Sequence, residues 1–473
     1  MQNWLVLLPE ISLLSFFPIS FLVNKYRTSK TSKTFFTLSR ISVLSAILFT
    51  VIFYNQSYFP YLWINNKYST LFKLLTYVSS FVWFYLSSKW FLNKSRSSYN
   101  FYNLAMGMTF LFGIVISAQN LLTIIFCVPL LCLFTYYLIL QHWDEGKVKQ
   151  TANQYFYLAV FFMFSLCLGT LIIRYFSGSF EFSKIKDWLE VQSKLPLIVY
   201  LGLVLILSAL LFMMGAVPFH LWFVDVIGLS VLPVCGFLSI IPPLAYLSCF
   251  ITLISEVMLP IRASITPLLQ TVAILSLLVG ALSANIEHNI RRLFAFSTIY
   301  NLGFMLLGVI SFRSGAILSA FVYTIIYVMT MIGIYTVFLG LKSKGDYRSD
   351  IKDISGMSEI KPYLSASFLV FMVSIIGIPP MLGFWGRLSL IDTLVIEERW
   401  VEVSLIFIAL IIIANAFLQI IRRIYFESLT IHYDRTDKSI YICLFINLTL
   451  VIISILSPSY LLADAESILI GVR

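Results

Sequence analysis

The sequence predicts an all-α membrane protein of about 14 transmembrane helices, with two inverted five-helix repeats that each contain one broken helix. Three observations lead there. The 473 residues are 60% hydrophobic and only 11% charged. A soluble chain of this length could not hide that much apolar surface, whereas a bundle of spanning helices presents it to lipid. The apolar residues fall into runs of membrane-spanning length. Two of these runs are about 31 residues long, more than the roughly 20 that one perpendicular crossing needs, and both are interrupted by Gly and Pro.

Taken in order, the runs lie near 4–23, 35–55, 69–92, 101–117, 120–141, 152–176, 196–226, 231–254, 265–284, 292–310, 314–341, 363–395, 403–426 and 438–457. The turn Ser117-Ala118-Gln119-Asn120, between the fourth and fifth, is very short. Lys and Arg set the orientation. Connections after odd-numbered runs collect 21 of the 32 basic residues, including Lys25, Arg27, Lys30 and Lys33 in the first and Lys342, Lys344, Arg348 and Lys352 in the eleventh. The opposite side, with both termini, collects 10. The odd connections are therefore expected to face a cytoplasm or an organelle matrix. Met1 leads almost directly into an apolar run with no Arg-rich amphipathic leader, so insertion where the chain is made is expected. Richness in Phe and Tyr fits an AT-rich organellar genome.

The first interruption lies in Phe212–Asp225. Gly215 and Pro218 break the run, and proline removes an N–H and clashes with the preceding turn, so carbonyls near Met214 lose their partners. Opened backbone of this kind survives in lipid only where protein or a hydrated cavity satisfies it. A kink that serves packing is the alternative. The second interruption, in Ser365–Val395, is Gly377-Ile378-Pro379-Pro380 with Gly383 beyond it. The breaks lie five segments apart, an odd number, so the chain enters them from opposite sides. That is the signature of an inverted-repeat transporter core. The expected organisation is 1–100 as flanking helices, 101–254 and 265–426 as the two repeats, and 438–473 as a C-terminal helix and tail.

Four titratable or charged groups are proton-path candidates: Arg387, His220, Asp225 and Asp392. A charge at helix centre costs about 2.5–3.5 kcal/mol on insertion scales, so Arg387 should face the bundle interior. It is either a fixed charge in a hydrated path or a side chain that reaches the interface or pins a carbonyl. Asp392, five residues on, lies about 140° round the helix from it. His220 has an unperturbed pKa of about 6.5 and suits a relay, or it bonds the carbonyls freed by Pro218. Asp225 ends the half-helix at the basic face. Glu10 is expected at the interface, and Lys73 and Arg174 are expected to snorkel near run ends. Arg291-Arg292 and Arg422-Arg423 read as topology anchors. The six cysteines sit in apolar runs without metal-ligand spacing, and no Gly-rich phosphate loop, haem or zinc spacing or nucleophile triad occurs.

Four stretches, in order, resemble the antiporter-like membrane subunits of respiratory complex I, the subunit 2 branch nearest. They are Leu7-Leu8-Pro9-Glu10; Val217-Pro218-Phe219-His220-Leu221-Trp222 with Asp225; Asn289-Ile290-Arg291-Arg292-Leu293-Phe294-Ala295-Phe296-Ser297 followed by Asn301-Leu302-Gly303-Phe304; and Gly377 to Arg387. Pro233 to Leu238 also fits. The resemblance implies proton translocation driven by quinone reduction in neighbouring subunits of an inner mitochondrial membrane. NADH, FMN, iron–sulfur clusters and ubiquinone would be bound by other subunits and no cofactor by this chain. Partners would be other complex I membrane subunits, including sister antiporter-like ones, and membrane lipids, with no nucleic acid. A Glu of the fifth segment and Lys residues of the seventh, eighth and twelfth are prominent in such proteins. Here those positions fall at Pro129, Met213, Pro243 and Arg387, so only the last keeps a cation. Either other groups replace them, or this copy keeps a structural place without pumping. The alternatives are a subunit of a multi-subunit cation/proton antiporter, and a secondary transporter with a small-molecule site at the breaks.

Overall fold

The computed structural model describes residues 6–25, 31–54, 64–91, 95–140, 146–192, 195–311, 314–343, 346–347, 350–429 and 431–456. Arg27, Lys30, Lys344, Arg348 and the tail from residue 457 onward lie outside them.

The structure is almost entirely helical. The elements are α1 (Leu8–Leu14), α2 (Phe16–Lys25), α3 (Thr31–Ile52), α4 (Lys67–Ser87), α5 (Ser95–Ile116), α6 (Leu121–Ile139), α7 (Gly146–Ser177), α8 (Phe182–Val191), α9 (Leu197–Met214) and α10 (Leu221–Leu229). There follow α11 (Leu232–Thr252), α12 (Arg262–Ile286), α13 (Ile290–Ile310), α14 (Ser314–Gly340), α15 (Met357–Ile360), α16 (Pro362–Ile376), α17 (Leu382–Ile396), α18 (Trp400–Phe426) and α19 (Lys438–Leu456). One antiparallel pair of two-residue strands, Lys342–Ser343 with Asp346–Tyr347, is the sheet seen among the described residues. Helix lies within every predicted apolar run. By length and composition, ten helices of the described residues can cross a membrane. Helix starts follow local chemistry. Asn66, Asn120 and Asn289 each turn a side-chain oxygen onto the first free N–H groups of α4, α6 and α13.

The chain divides into two compact units. The first comprises residues up to Gly215 together with Leu229–Ile265, and the second Ala216–Gly228 together with Thr266 onward. In the first unit α11 is buried along its whole length. The Trp83 indole donates to the Pro233 carbonyl over 2.8 Å, and Phe84 stacks on Phe237 with centroids 6.1 Å apart. Helices α7 and α9 approach closely through glycine, since a Cβ on Gly169 would stand 2.5 Å from the Gly202 carbonyl. The outward stripe Phe161, Phe164, Leu168 and Leu171 on α7 is exposed and apolar, as a lipid-facing surface should be.

In the second unit α13 is likewise buried from Leu293 to Ile310, with Phe294 packed among Phe338, Phe368 and Phe417. Beyond α14 the irregular segment around Tyr433 covers the helix end. Lys361 donates to the Gly340 carbonyl and to the Thr436 hydroxyl, each over 2.8 Å, above the Tyr433 ring. Burial pushes the Lys361 ammonium down to about 8, partly offset by Asp434. Between that value and the ordinary lysine value of about 10.4, the unfolded chain holds more protons than the folded one, so stability rises with pH there. Raising the pH from about 7 to about 9.5 is expected to stabilise the protein in detergent by on the order of 1 kcal/mol after solvent screening, read as a higher unfolding temperature. Lys361→Met should remove that rise; thermal scans of both proteins at the two pH values check it.

Three expectations change. Glu10 is buried rather than interfacial, and Lys73 does not snorkel: it is buried and paired with Glu10. Two opposite charges that meet inside the helices satisfy one another, so neither needs the interface. Asp225 sits in the middle of α10 rather than at its end. Helix α8 was not expected: it is short and polar, but Phe182, Ile185 and Leu189 align on one buried face.

Candidate functional site at the helix breaks

Both long runs are broken where Gly and Pro predict. Helix α9 stops at Gly215, whose φ of 73° lies in the left-handed region, and α16 stops at Gly377 with φ of 79°. Only glycine adopts this conformation without a steric cost. In each case a cis proline follows three residues later, Pro218 and Pro380.

The second break can be followed carbonyl by carbonyl. Helix α16 ends at Ile376, so its last turn has no helical donors. The N–H of Gly377 bonds the Val373 carbonyl at 3.0 Å and the Ser374 carbonyl at 3.1 Å. The carbonyls of Ile375 and Ile376 are taken by the guanidinium of Arg387, from α17. Every carbonyl of the broken turn therefore has a partner. The guanidinium also reaches the Tyr323 hydroxyl at 3.2 Å and Asn301 Oδ1 at 3.5 Å. Its carbon lies 5.3, 5.0 and 5.8 Å from the ring centres of Tyr300, Phe304 and Tyr323. Arg387 is 2% exposed, and each of these partners is neutral. A guanidinium stays protonated under all biological conditions. The site is thus a fixed, buried positive charge, not a proton carrier. Gly383 brings α17 close: a Cβ there would overlap the Ser374 carbonyl.

Around the charge lies a hydroxyl and amide set. Tyr323 donates to Asn301 Oδ1 over 2.5 Å, and Tyr327 to the Thr298 hydroxyl over 3.1 Å. The buried Tyr300 hydroxyl and Ser374 Oγ have no partner among the described residues. Tyr323 and Tyr327 on α14, and Ser297 and Asn301 on α13, are four apart in sequence. Each pair faces the same way, and that spacing of polar groups in an apolar run was the available signal.

At the first break the Val217 N–H donates to Ser276 Oγ over 3.1 Å. His220 is half-buried beside Phe296, with ring centres 6.3 Å apart, and its Nδ1 has no partner among the described residues. Asp225 pairs with Arg292 at 3.2 Å, and Arg292 also meets Glu287 at 3.1 Å. All three are partly exposed, which makes a solvated ion network worth little. Asp392 is exposed on α17 and is not brought to Arg387. In the first unit, Met213 Sδ lies 3.3 Å from Cys132 Sγ, and Pro243 is buried. Among the described residues of that unit, Glu10 and Lys73 are the buried charged side chains.

The family described as NADH:quinone oxidoreductase/Mrp antiporter, transmembrane, matches residues 118–455, a stretch that contains both breaks. The chain belongs to this family. A relative from Pelagibacter ubique named NADH-quinone oxidoreductase subunit N is 31% identical over 351 residues, 74% of each chain. The fold matches that of a chain in respiratory complex I from Thermus thermophilus, with a TM-score of 0.82 and 20% identity over 96% of this chain and 98% of that one. It also matches a chain of the Mrp complex from Dietzia, with a TM-score of 0.84 and 15% identity over 99% and 97%.

Proposed function

We propose that this chain is an antiporter-like membrane subunit of a respiratory complex I, in the position of subunit 2 or N, and that it supports proton translocation coupled to electron transfer from NADH to ubiquinone. The observation that carries the mechanistic part is the buried Arg387, tied to the carbonyls that the second break sets free. Broken helices with polar groups are how membrane proteins build ion sites. The sequence kinship with subunit N supports the choice of complex.

In this reading the chain spans the membrane fourteen times and holds two inverted repeats, 101–254 and 265–426, flanked by 1–100 and by 438–473. It lies in the mitochondrial inner membrane with the odd connections in the matrix. NADH, FMN, iron–sulfur clusters and ubiquinone are bound by other subunits, and its neighbours are sister antiporter-like subunits and lipid. The two breaks are unequal. The second carries a permanent charge that sets the proton affinity of what lies beside it, the Tyr323–Asn301 and Tyr327–Thr298 pairs included. At the first, His220 is the group able to take and return a proton near neutral pH. Likeness in fold to the Mrp complex chain supports the second reading, a cation/proton antiporter subunit.

Purification in mild detergent separates the two readings. The chain is expected in an assembly that oxidises NADH and reduces quinone; recovery without such activity would favour the antiporter. For the mechanism, membrane vesicles carrying Arg387→Met should take up fewer protons per NADH oxidised than the wild type at matched oxidation rate. An unchanged ratio removes Arg387 from the proton path.

A further inference from the structure

Helices α1, α4 and α5 of the first unit enclose a polar cluster that the helix breaks do not use. Glu10 on α1 is 8% exposed and Lys73 on α4 is 2% exposed. The Lys73 ammonium donates to Glu10 Oε1 over 2.5 Å and to Asn65 Oδ1 over 2.7 Å. Asn65 is held in turn by the Ser117 hydroxyl at 3.3 Å, and the Ile64 N–H donates to the Ser117 carbonyl over 2.9 Å. The cluster therefore sits where α4 begins and α5 ends.

Two buried oxygens in this cluster have no hydrogen-bond partner among the described residues: Glu10 Oε2 and the Tyr77 hydroxyl. Tyr77 is one turn beyond Lys73 on α4, fully buried, and its hydroxyl interacts electrostatically with the Glu10 carboxylate. Gly113 is what gives that hydroxyl room, since a Cβ there would overlap it. Buried polar atoms without partners are costly, and in native proteins they are explained by a function or by internal water.

The chemistry narrows what the free oxygen can take. A metal cation at Glu10 would compete with an ammonium that already neutralises the carboxylate at Oε1. The other charges described on the surrounding elements are few: Arg40 of α3 sits over the Tyr85 ring, Lys33 of α3 is exposed, Lys25 ends α2, Lys67 is half-buried in the first turn of α4, and α11 carries no charged residue. What remains is a proton, delivered through water or hydroxyl.

We propose that Glu10, Lys73, Asn65 and Tyr77 form a proton-exchange site in the N-terminal helices, separate from the broken-helix core, with Glu10 Oε2 as the atom that gains and loses the proton. A hydronium ion from the face where α4 begins transfers its proton to Oε2, leaving water and a neutral carboxyl. The Lys73 ammonium keeps its bond to Asn65 Oδ1, so a fixed amide dipole faces its charge when Glu10 is neutral. The Tyr77 hydroxyl, which makes no direct bond to Oε2, reaches it through one water and holds the carboxylate form. Release reverses the step.

The test uses the chain isolated from its membrane with whatever subunits accompany it, and reads pH-titrated difference infrared spectra. The wild type should show a protonated-carboxyl C=O band that grows as the pH falls, and Glu10→Gln should lack it. Tyr77→Phe and Gly113→Ala should keep the band but move its midpoint by about one pH unit, a tenfold change in proton affinity. A Glu10→Gln spectrum that superimposes on the wild type overturns the site. Should Glu10→Gln not accumulate, Tyr77→Phe removes a single oxygen and decides alone, an unmoved midpoint overturning the proposal. The outcome is independent of the Arg387 experiment, because it reads a carboxyl group and not proton pumping.

Discussion

Replacing Gly383 by alanine is expected to abolish accumulation of the protein in its membrane. A Cβ at this position would overlap the Ser374 carbonyl, which belongs to the backbone and cannot rotate away. That carbonyl already accepts the Gly377 N–H, so the last turn of α16 would have to shift as a unit. Such a shift drags the Ile375 and Ile376 carbonyls off the Arg387 guanidinium and leaves a buried charge and open backbone together. The combined penalty exceeds about 4 kcal/mol, the range of single changes that unfold proteins. Quantifying membrane-inserted chain by immunoblot checks it. Normal levels of Gly383→Ala protein would mean that the two half-helices can separate without loss.

Arg387→Lys is expected to add a pH dependence to whatever the native protein has. A lysine at 387 keeps the charge but loses the planar fork that serves two carbonyls at once. One of the Ile375 and Ile376 carbonyls then goes unserved, at a cost of about 1–3 kcal/mol; Arg387→Met exposes both, and its cost is about 2–6 kcal/mol. An ammonium gives up its proton far more readily than a guanidinium, so the fixed charge becomes a titrating one. Proton uptake per NADH oxidised should therefore fall off with rising pH more steeply in Arg387→Lys than in the wild type. Parallel profiles would show that the permanence of the charge has no part in the function.

Much of the helical layout is legible in the amino-acid sequence. Long apolar runs fix where helices lie, because lipid leaves the backbone no other way to satisfy itself. Both breaks could be read because Gly215 and Gly377 must adopt left-handed backbone and Pro218 and Pro380 cannot continue a helix. Arg387 announced itself by its charge in an apolar run. Its partners were harder to see. They are backbone carbonyls eleven and twelve residues back, and a tyrosine 64 residues away. The Glu10–Lys73 pair was hidden for the same reason: a separation of 63 residues closes only in the packed bundle. Each residue alone near a run end suggests an interface. Asp225 had a partner in Arg292, but nothing local ties the two, and Asp392 carries the same charge without an ion-pair partner among the described residues.

One consequence of the arginine bridge is mechanical. Arg387 is anchored on α17 while its guanidinium grips the end of α16, so the gap between these segments is riveted shut. A hinge would need those contacts to open and close with each cycle, at the expense of two orphaned carbonyls every time. The pieces on either side of Gly377 should therefore travel together as a single lever, and any change of access at this point has to come from side chains turning around a stationary pin.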